Sequence, residues 1–286
     1  LLLATLFVYG QSAEDLKRLE EFRRKVNAPV VLAKDDRIKV KITKDLVYNT
    51  AKDTSQKMDV YQPVSGIKKE KLPLVVFIHG KTPIQTNPKN WGGYKSWGEL
   101  AASRGYVAIV FTQSLGTPGR SIEEAGTDLQ DALKYIKANH SHYNIDTNRI
   151  ALLAYSAGVP LLSGALLHNK ESIKCLAAFY GFMDMRNIEM WKSESQETLS
   201  KFSLVDYLNA NIEFPPIFIA RAGREHNKGL NETIDSFIAK ANNANINVTV
   251  INHTSGVHGF DTQNDDDRSR EIIESVFTFL KYHLKK

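Results

Sequence analysis

Ser156 lies in a segment whose residue types and spacing suit a nucleophile. It is the middle residue of the run 154–158, Ala-Tyr-Ser-Ala-Gly, which follows an apolar stretch and opens a helical one. A sharp turn from a strand into a helix strains the backbone of its middle residue, and small residues two positions to either side avoid clashes. Such a turn lifts the serine oxygen to the carboxyl end of a sheet and puts the next amide at a helix N-terminus, where negative charge is stabilised. The segment therefore predicts nucleophilic chemistry at Ser156.

Other reactive side chains favour structural roles. The single cysteine, Cys175, lies in an apolar run and is expected in a buried strand, because a catalytic thiol needs a polar, partly exposed setting. One cysteine also excludes an intramolecular disulfide. The acidic cluster 265–267 precedes a helical stretch, where acidic residues complement the helix dipole. No metal motif, paired cysteines or phosphate-binding loop occurs, so we expect no metal and no cofactor.

The elements that must position Ser156 alternate between strand and helix. Continuous apolar runs suit parallel strands that are buried on both faces. Two earlier segments, 37–43 and 58–63, alternate apolar with polar residues and predict antiparallel strands at one edge. The pattern as a whole predicts a doubly wound α/β sheet. The apolar runs occur at 74–78, 106–111, 149–154, 176–182, 217–220 and 248–251.

The helical stretches carry their own start and end signals. Ser121 and Glu124 form a capping box, and Pro160 is tolerated in the first turn of a helix over 158–169. The last helix is expected over 267–284, with an acidic start and a lysine-rich end. Residues 183–212 are polar, irregular and long for a connection between strands, so they form either a small cap over the site or a surface helix with packed methionines.

These segments together resemble the α/β-hydrolase family, in particular its esterase and dienelactone-hydrolase-like members. The resemblance covers roughly residues 55–285 and includes the lead-in 143–150 to the strand before Ser156. The family pattern is Gly-x-Ser-x-Gly, and this chain differs by one methyl group, since Ala154 occupies the first position. The resemblance implies an α/β-hydrolase fold, a mostly parallel sheet with antiparallel N-terminal edge strands, and Ser156 as the nucleophile.

The resemblance also implies two partners for Ser156. The family keeps its histidine between the last strand and the final helix, where this chain has His258. The acid follows the preceding strand, two positions after a glycine, where this chain has Glu225. The chain order of nucleophile, acid and histidine agrees with the family. His258 would take the serine proton and Glu225 would hold the histidine in the required tautomer.

Each of these partners has a competitor in the sequence. Asp184, which follows the strand before that of Glu225, is the alternative acid. His253 and His226 compete with His258, although the place of His253 at the end of a strand favours a structural role.

The run His79-Gly80-Lys81 ends an earlier strand. By the resemblance, this turn faces a backbone N–H toward the substrate, and the amide of Lys81 or a near neighbour would form the oxyanion hole with that of Ala157. Lys81 stands where the family frequently has glycine, and His79 itself is expected to be structural.

The substrate contacts are expected to come from large side chains near these turns. The loop 81–94 contains Trp91, and we expect Trp91 and Tyr155 to line the pocket.

Length and composition place the chain among ordinary globular proteins. Its 286 residues suit one α/β domain, and 42% apolar with 24% charged residues is typical of a soluble protein. A net charge of +5 is spread over scattered lysines, without the basic stripe of a nucleic-acid binder.

The first ten residues are apolar and resemble the core of a signal peptide with cleavage after Gly10. The run is too short to span a bilayer, so stable membrane insertion is not expected. The alternative interpretation of this run is a buried first helix. Because a signal peptide directs export, we expect a periplasmic or secreted protein. The lead-in is expected over 11–36 and the hydrolase domain over 37–286.

The function that follows is hydrolysis of carboxylic esters through an acyl-enzyme. Export suits small-molecule or carbohydrate esters, such as acyl groups on polysaccharides. A peptidase of the prolyl-oligopeptidase type shares the fold and is the alternative enzyme. A non-catalytic binding module is the alternative from another class, but such relatives tend to lose the serine or the histidine. The oligomeric state has no signal in the sequence.

Overall fold

The structure of the chain is a computed structural model. It describes residues 13–49, 56–64, 70–82, 84–208 and 213–285. The apolar run 1–10 lies outside these ranges, so the signal peptide stays a prediction. The described helices include none that is both long enough and apolar enough to cross a bilayer.

Eight strands form one sheet in the spatial order β1-β2-β4-β3-β5-β6-β7-β8. The pairs β1–β2 and β2–β4 are antiparallel, whereas β3 to β8 run parallel to one another. The predicted fold, a mostly parallel sheet with antiparallel edge strands near the N-terminus, is therefore confirmed. The strands are β1 Val40–Val47, β2 Lys57–Pro63, β3 Leu72–Ile78, β4 Val107–Phe111, β5 Ile145–Tyr155, β6 Ile173–Phe179, β7 Ile217–Arg224 and β8 Val248–Val257.

Strand boundaries differ from the predicted ones where the backbone bends. Strand β1 continues past the predicted end because a bulge absorbs Asp45, whose φ is 57° and whose amide donates to Asp59 Oδ1 over 2.8 Å. Strand β6 ends three residues earlier than predicted, because Tyr180 turns away with a φ of 36°. Strand β8 runs beyond its apolar stretch, since an irregularity in register lets Val257 pair with Arg224.

Helices cover both faces of the sheet, as expected for a doubly wound fold. One face packs against α3, α4 and α6, whose buried residues include Leu129, Leu162 and Ile234. The other packs against α2 and α8, whose buried residues include Trp97 and Ile273. The helices are α1 Ala13–Asn27, α2 Gly92–Ser103, α3 Ile122–Ala138, α4 Leu161–Asn169, α5 Gln196–Lys201, α6 Leu230–Asn243, α7 Phe260–Gln263 and α8 Asp267–His283.

The helix signals in the sequence correspond to real caps. Ser121 accepts from the Glu124 amide while Glu124 accepts from the Ser121 amide, so the capping box of α3 is confirmed. Asp266 caps α8 by accepting from the Ser269 amide. This cap explains the acidic cluster 265–267 as a helix start.

The segment that follows β6 packs into the protein core. Met183, Trp191 and Phe202 belong to the same apolar cluster as α3 and α4. The segment holds α5 and two short 3-10 helices, and its residues 209–212 lie outside the described ranges. Whether it acts as a cap stays a prediction.

Gly158 permits the close approach of two turns at the carboxyl edge of the sheet. A Cβ atom built there would lie 2.4 Å from the His79 carbonyl oxygen, which is far inside van der Waals contact. We expect Gly158→Ala to lower the free energy of unfolding in urea by about 1–3 kcal/mol, because one of the two turns must shift.

The matched control for this variant is Gly164→Ala in α4. A Cβ at Gly164 would make an ordinary 3.6 Å contact with Phe202, so alanine should leave stability unchanged or raise it by up to about 1 kcal/mol. Equal losses in the two variants would contradict the steric explanation.

Candidate active site

Ser156 occupies a strained turn between a strand and a helix, as the sequence predicts. Strand β5 ends at Tyr155, Ser156 has a φ of 53°, and a single 3-10 turn over Ser156–Gly158 leads toward α4. A positive φ is uncommon for a residue with a side chain, and such strain concentrates at functional sites. The turn leaves Ser156 partly exposed while Ala157 is buried.

His258 and Glu225 meet Ser156 at this edge. The Ser156 hydroxyl donates to His258 Nε2 over 2.9 Å, and His258 Nδ1 donates to Glu225 Oε2 over 2.6 Å. Glu225 directly follows β7 and His258 directly follows β8, and the carboxyl ends of parallel strands lie at the same edge. The three residues therefore form one continuous hydrogen-bonded chain.

Glu225 is held as a carboxylate. Burial raises its pKa, but the hydrogen bonds from His258 and Asn227 outweigh burial and bring the pKa below its usual value. The Asn227 amide and side chain donate to Oε1 over 2.8 and 2.7 Å, so each carboxylate oxygen has a donor. With a side chain only 2% exposed, Glu225 has little freedom to rotate away from His258.

The competing residues are not members of this hydrogen-bonded chain. Asp184 pairs with Arg186 and accepts from Ser203, without a hydrogen bond to His258. His253 is buried, and its Nε2 lies 3.1 Å from both Asp266 and Ser269. His226 is 72% exposed in its side chain, and its ring centroid lies 5.4 Å from that of His258. The geometry thus brings Glu225 and His258, rather than these alternatives, to Ser156.

The turn after β3 approaches Ser156 closely. A Cβ built on Gly80 would lie 3.1 Å from the Ser156 Cβ and 3.6 Å from its Oγ. His79 Nδ1 donates to the Gly80 carbonyl over 2.7 Å, and His79 Nε2 accepts from the Gln113 amide over 3.1 Å. Burial lowers the pKa of His79 to about 4, which keeps the imidazole neutral. The structural role predicted for His79 agrees with these contacts.

A cavity of about 240 Å³ opens beside Ser156. Both predicted substrate-contact residues, Trp91 and Tyr155, line it. Trp91 donates its indole N–H to the Thr86 carbonyl, whereas the buried Tyr155 hydroxyl has no hydrogen-bond partner among the described residues. None of the residues 183–208 lines this cavity. Its aromatic wall is completed by Tyr94, Trp97 and Tyr180.

Asp261 joins three elements beneath the cavity. Its carboxylate accepts from the Trp97 indole over 2.8 Å and from the Tyr180 hydroxyl over 2.5 Å. The Tyr180 ring lies against His258, with 4.7 Å between centroids. This buried network therefore packs one face of the histidine that contacts Ser156.

Several of these residues had only weak signals in the sequence. Asp261 lies three residues after His258 and Tyr180 lies in the apolar run 176–182, but neither position carries a motif that marks it as part of a site. Asn227 follows Glu225 by two residues, close enough in the chain for its backbone amide and side chain to donate to the Glu225 carboxylate. No local pattern shows that these side chains converge, because they belong to different strands and helices.

The remaining reactive groups lie apart from this site. Cys175 is buried in β6, and burial raises the pKa of its thiol. Within the described ranges, no three histidine, cysteine, aspartate or glutamate side chains are grouped so as to hold a metal ion.

Comparison with known proteins identifies esterases. The family model described as BD-FAE matches residues 58–281. Gut esterase 1 of Caenorhabditis elegans is 26% identical over 148 residues, which is 46% of this chain and 26% of the relative. Isoprenylcysteine alpha-carbonyl methylesterase of Arabidopsis thaliana is 29% identical over 116 residues, 39% of this chain and 25% of the relative. The chain thus spans about a quarter of the length of these curated relatives.

Solved structures support the fold. Esterase B from Lactobacillus rhamnosis, inhibited by a tributyrin phosphonate, has a TM-score of 0.74 at 13% identity and covers 94% of this chain and 92% of its own. A butyrate-bound thermophilic esterase from Thermogutta terrifontis has a TM-score of 0.65 at 18% identity. The match covers 86% of this chain and 94% of that esterase. At these identities the likeness establishes the α/β-hydrolase fold.

The burial of Asp261 makes a testable contribution to stability. Burial raises its pKa above the ordinary 3.8, although the bonds from Trp97 and Tyr180 oppose the rise. A carboxyl with a raised folded-state pKa stabilises the fold below its unfolded pKa and loses this contribution as the pH rises through the folded pKa. We expect the Tm of Asp261→Asn, relative to wild type, to rise as the pH increases above about 4, the ordinary pKa of aspartate.

Calorimetry across this range provides the measurement. Glu232→Gln on the exposed face of α6 is the matched control, and its Tm difference from wild type should not show this rise. A difference between Asp261→Asn and wild type that stays constant with pH would contradict the prediction.

Proposed function

The chain belongs to the BD-FAE family, an α/β-hydrolase esterase family, and on this basis we propose that it hydrolyses carboxylic esters with Ser156 as nucleophile. The observation that carries the proposal is the hydrogen-bonded chain Ser156–His258–Glu225. Fold alone does not establish an activity, so this local geometry matters more than the shape of the domain.

The reaction proceeds in two halves. Ser156 Oγ attacks the ester carbonyl carbon while His258 Nε2 takes the hydroxyl proton, which gives a tetrahedral oxyanion. The C–O bond to the alcohol then breaks, and His258 returns the proton to the leaving oxygen. Water next attacks the acyl-enzyme with His258 again as base, and the acid and free Ser156 are released.

Glu225 fixes the tautomer of His258 so that the basic nitrogen faces Ser156. Because His258 Nδ1 donates to the carboxylate, the lone pair lies on Nε2 and faces the Ser156 hydroxyl. When His258 becomes an imidazolium, the buried negative charge of Glu225 stabilises it. Asn227 holds the carboxylate in place throughout the cycle.

The amides of Lys81 and Ala157 receive the oxyanion. The amides on either side of Lys81 are already bound, since Gly80 donates to the Tyr94 hydroxyl over 3.2 Å and Thr82 donates to the Leu115 carbonyl over 2.9 Å. This leaves the Lys81 amide as the donor of that turn. The Ala157 amide lies in the first turn of the 3-10 helix Ser156–Gly158, where backbone N–H groups favour negative charge.

The substrates are esters with a small or medium acyl group, including acyl groups on polysaccharides. A cavity of about 240 Å³ with aromatic walls suits such a group, because ligand sites are largely apolar with a few polar contacts. Tyr155 contributes an aromatic side chain to the inner wall. Location in the periplasm or outside the cell remains part of this proposal.

Replacing Ser156 tests the proposal directly. We expect the wild type to hydrolyse p-nitrophenyl acetate and butyrate, and Ser156→Ala to lower kcat by a factor on the order of 10⁶ because the nucleophile is lost. The acetate-to-butyrate ratio reports the length of acyl chain that the cavity accepts. Ser275→Ala on α8 is the control and should retain activity. Wild-type inactivity on both esters would favour a peptidase or a binding protein.

One pair of variants tests whether Glu225 or Asp184 is the acid that orients His258. Glu225→Gln should lower kcat by a factor on the order of 10⁴, because an amide can select the wrong histidine tautomer and cannot stabilise the imidazolium. Asp184→Asn should keep nearly wild-type kcat, since Asp184 contacts Arg186 and Ser203. Steady-state kinetics with p-nitrophenyl acetate give both values, and the reverse ranking would make Asp184 the acid.

A further inference from the structure

The N-terminal helix lies outside the part of the chain that matches the family, yet it contributes to the cavity. The match begins at residue 58, whereas Lys25 of α1 lines the cavity beside Ser156. The Phe22 ring on the same helix meets Trp91 edge-on, with 6.1 Å between centroids. A wall of the proposed substrate site therefore comes from a segment that precedes the family core.

The chain immediately after α1 is held by hydrogen bonds and close packing to α2 and α7. The Val30 amide donates to Ser96 Oγ over 2.7 Å, and the Val31 amide donates to the Asp261 carbonyl over 2.8 Å. The backbone of Asn27 packs onto Gly92 so closely that a Cβ there would lie 2.2 Å from the Asn27 oxygen. These contacts tie the end of α1 to α2 and α7, so the position of Lys25 is set by both helices.

The entrance carries positive charge without matching negative charge. Lys25 and Lys81 are both exposed, both line the cavity, and neither has a carboxylate within 4.0 Å in the part of the chain that the structure describes. The Asp261 carboxylate is buried and already accepts two hydrogen bonds. Glu194 interacts with Lys81 at longer range. Burial and the charge of Glu123 raise the Glu194 pKa, and the positive charge of Lys81 opposes this rise.

The two sides of an ester would lie differently in this cavity. The inner walls are buried aromatic residues, namely Trp97, Tyr155 and Tyr180, which suit an apolar acyl chain. Lys25 and Lys81 are exposed, so an ester whose acyl chain occupies the aromatic part of the cavity would extend its alcohol toward them.

We propose that α1 completes the substrate site and that Lys25, with Lys81, recognises an anionic group on the alcohol side of the ester. The proposal rests on the proposed ester hydrolysis. A lysine ammonium acts as a point charge and binds either a carboxylate or a phosphate, so the shared chemistry is an anion next to the scissile ester. Because both lysines are exposed, each contact is expected to be modest and sensitive to salt.

Paired substrates that differ only in charge provide the test. The kcat/KM for 4-acetoxybenzoate is divided by that for its uncharged methyl ester, and the same ratio is formed for 4-acetoxyphenyl phosphate and its dimethyl ester. Division by the neutral partner removes any general effect of a variant on catalysis. The carboxylate and phosphate ratios then distinguish the two sources of negative charge.

Lys25→Met should lower the anion-to-neutral ratio by about two- to fivefold at low ionic strength, and Lys25→Glu should lower it further. About 0.5 M salt should remove most of the difference between wild type and variant. Lys240→Met, which removes an exposed lysine of α6 outside the cavity, should leave the ratios at their wild-type values. Unchanged ratios in both Lys25 variants would overturn the proposal, while loss of turnover in Ser156→Ala would still uphold ester hydrolysis.

A binding measurement keeps the proposal testable if the wild type hydrolyses none of these esters. Calorimetric titration with 4-hydroxybenzoate and with methyl 4-hydroxybenzoate then compares wild type with Lys25→Met. Weaker binding of the carboxylate alone in the variant would support the anion site, although ester hydrolysis had failed. Equal binding in both proteins would overturn it.

Discussion

The parallel arrangement of β3 to β8 is the constraint on which the site depends. Parallel strands end at the same edge, so the turns after β3, β5, β7 and β8 lie side by side although they are far apart in the chain. Ser156, Glu225 and His258 each occupy the first position after a strand. The 2.9 Å and 2.6 Å hydrogen bonds that join them follow from this shared edge and from the change of register near the end of β7 and β8.

Strain and close packing are concentrated at the same edge. Ser156 and Tyr180 both have positive φ values, and both directly follow buried strands that hold them in place. Glycines provide the room that this geometry requires. A Cβ on Gly181 would lie 2.0 Å from Val159, and one on Gly158 would meet the His79 carbonyl. The surrounding sheet therefore maintains conformations that the isolated turns would not prefer.

Buried polar groups organise the histidine from two directions. Glu225 accepts from its Nδ1 and is itself held by Asn227, whereas Tyr180 packs against the ring and donates a hydrogen bond from its hydroxyl to the Asp261 carboxylate. Because unpaired polar groups are costly in a protein interior, each of these contacts restricts its neighbours. The backbone carbonyl of Asp261 also accepts a hydrogen bond from the Val31 amide, which links this network to the N-terminal segment.

Local patterns in the sequence determined the elements and the identity of the reactive groups. Apolar runs predicted the strands, the capping box predicted the start of α3, and the small residues around Ser156 predicted its strained turn, because each signal depends on neighbours in the chain. The family resemblance indicated Glu225 and His258 but left Asp184, His226 and His253 as competitors. Only the tertiary structure joined Glu225 and His258 to Ser156 by hydrogen bonds, placed Tyr180 and Asp261 behind the histidine, and brought Lys25 to the cavity. Those relations join residues from separate strands and helices, and their distances are set by strand register and helix packing rather than by any local sequence pattern.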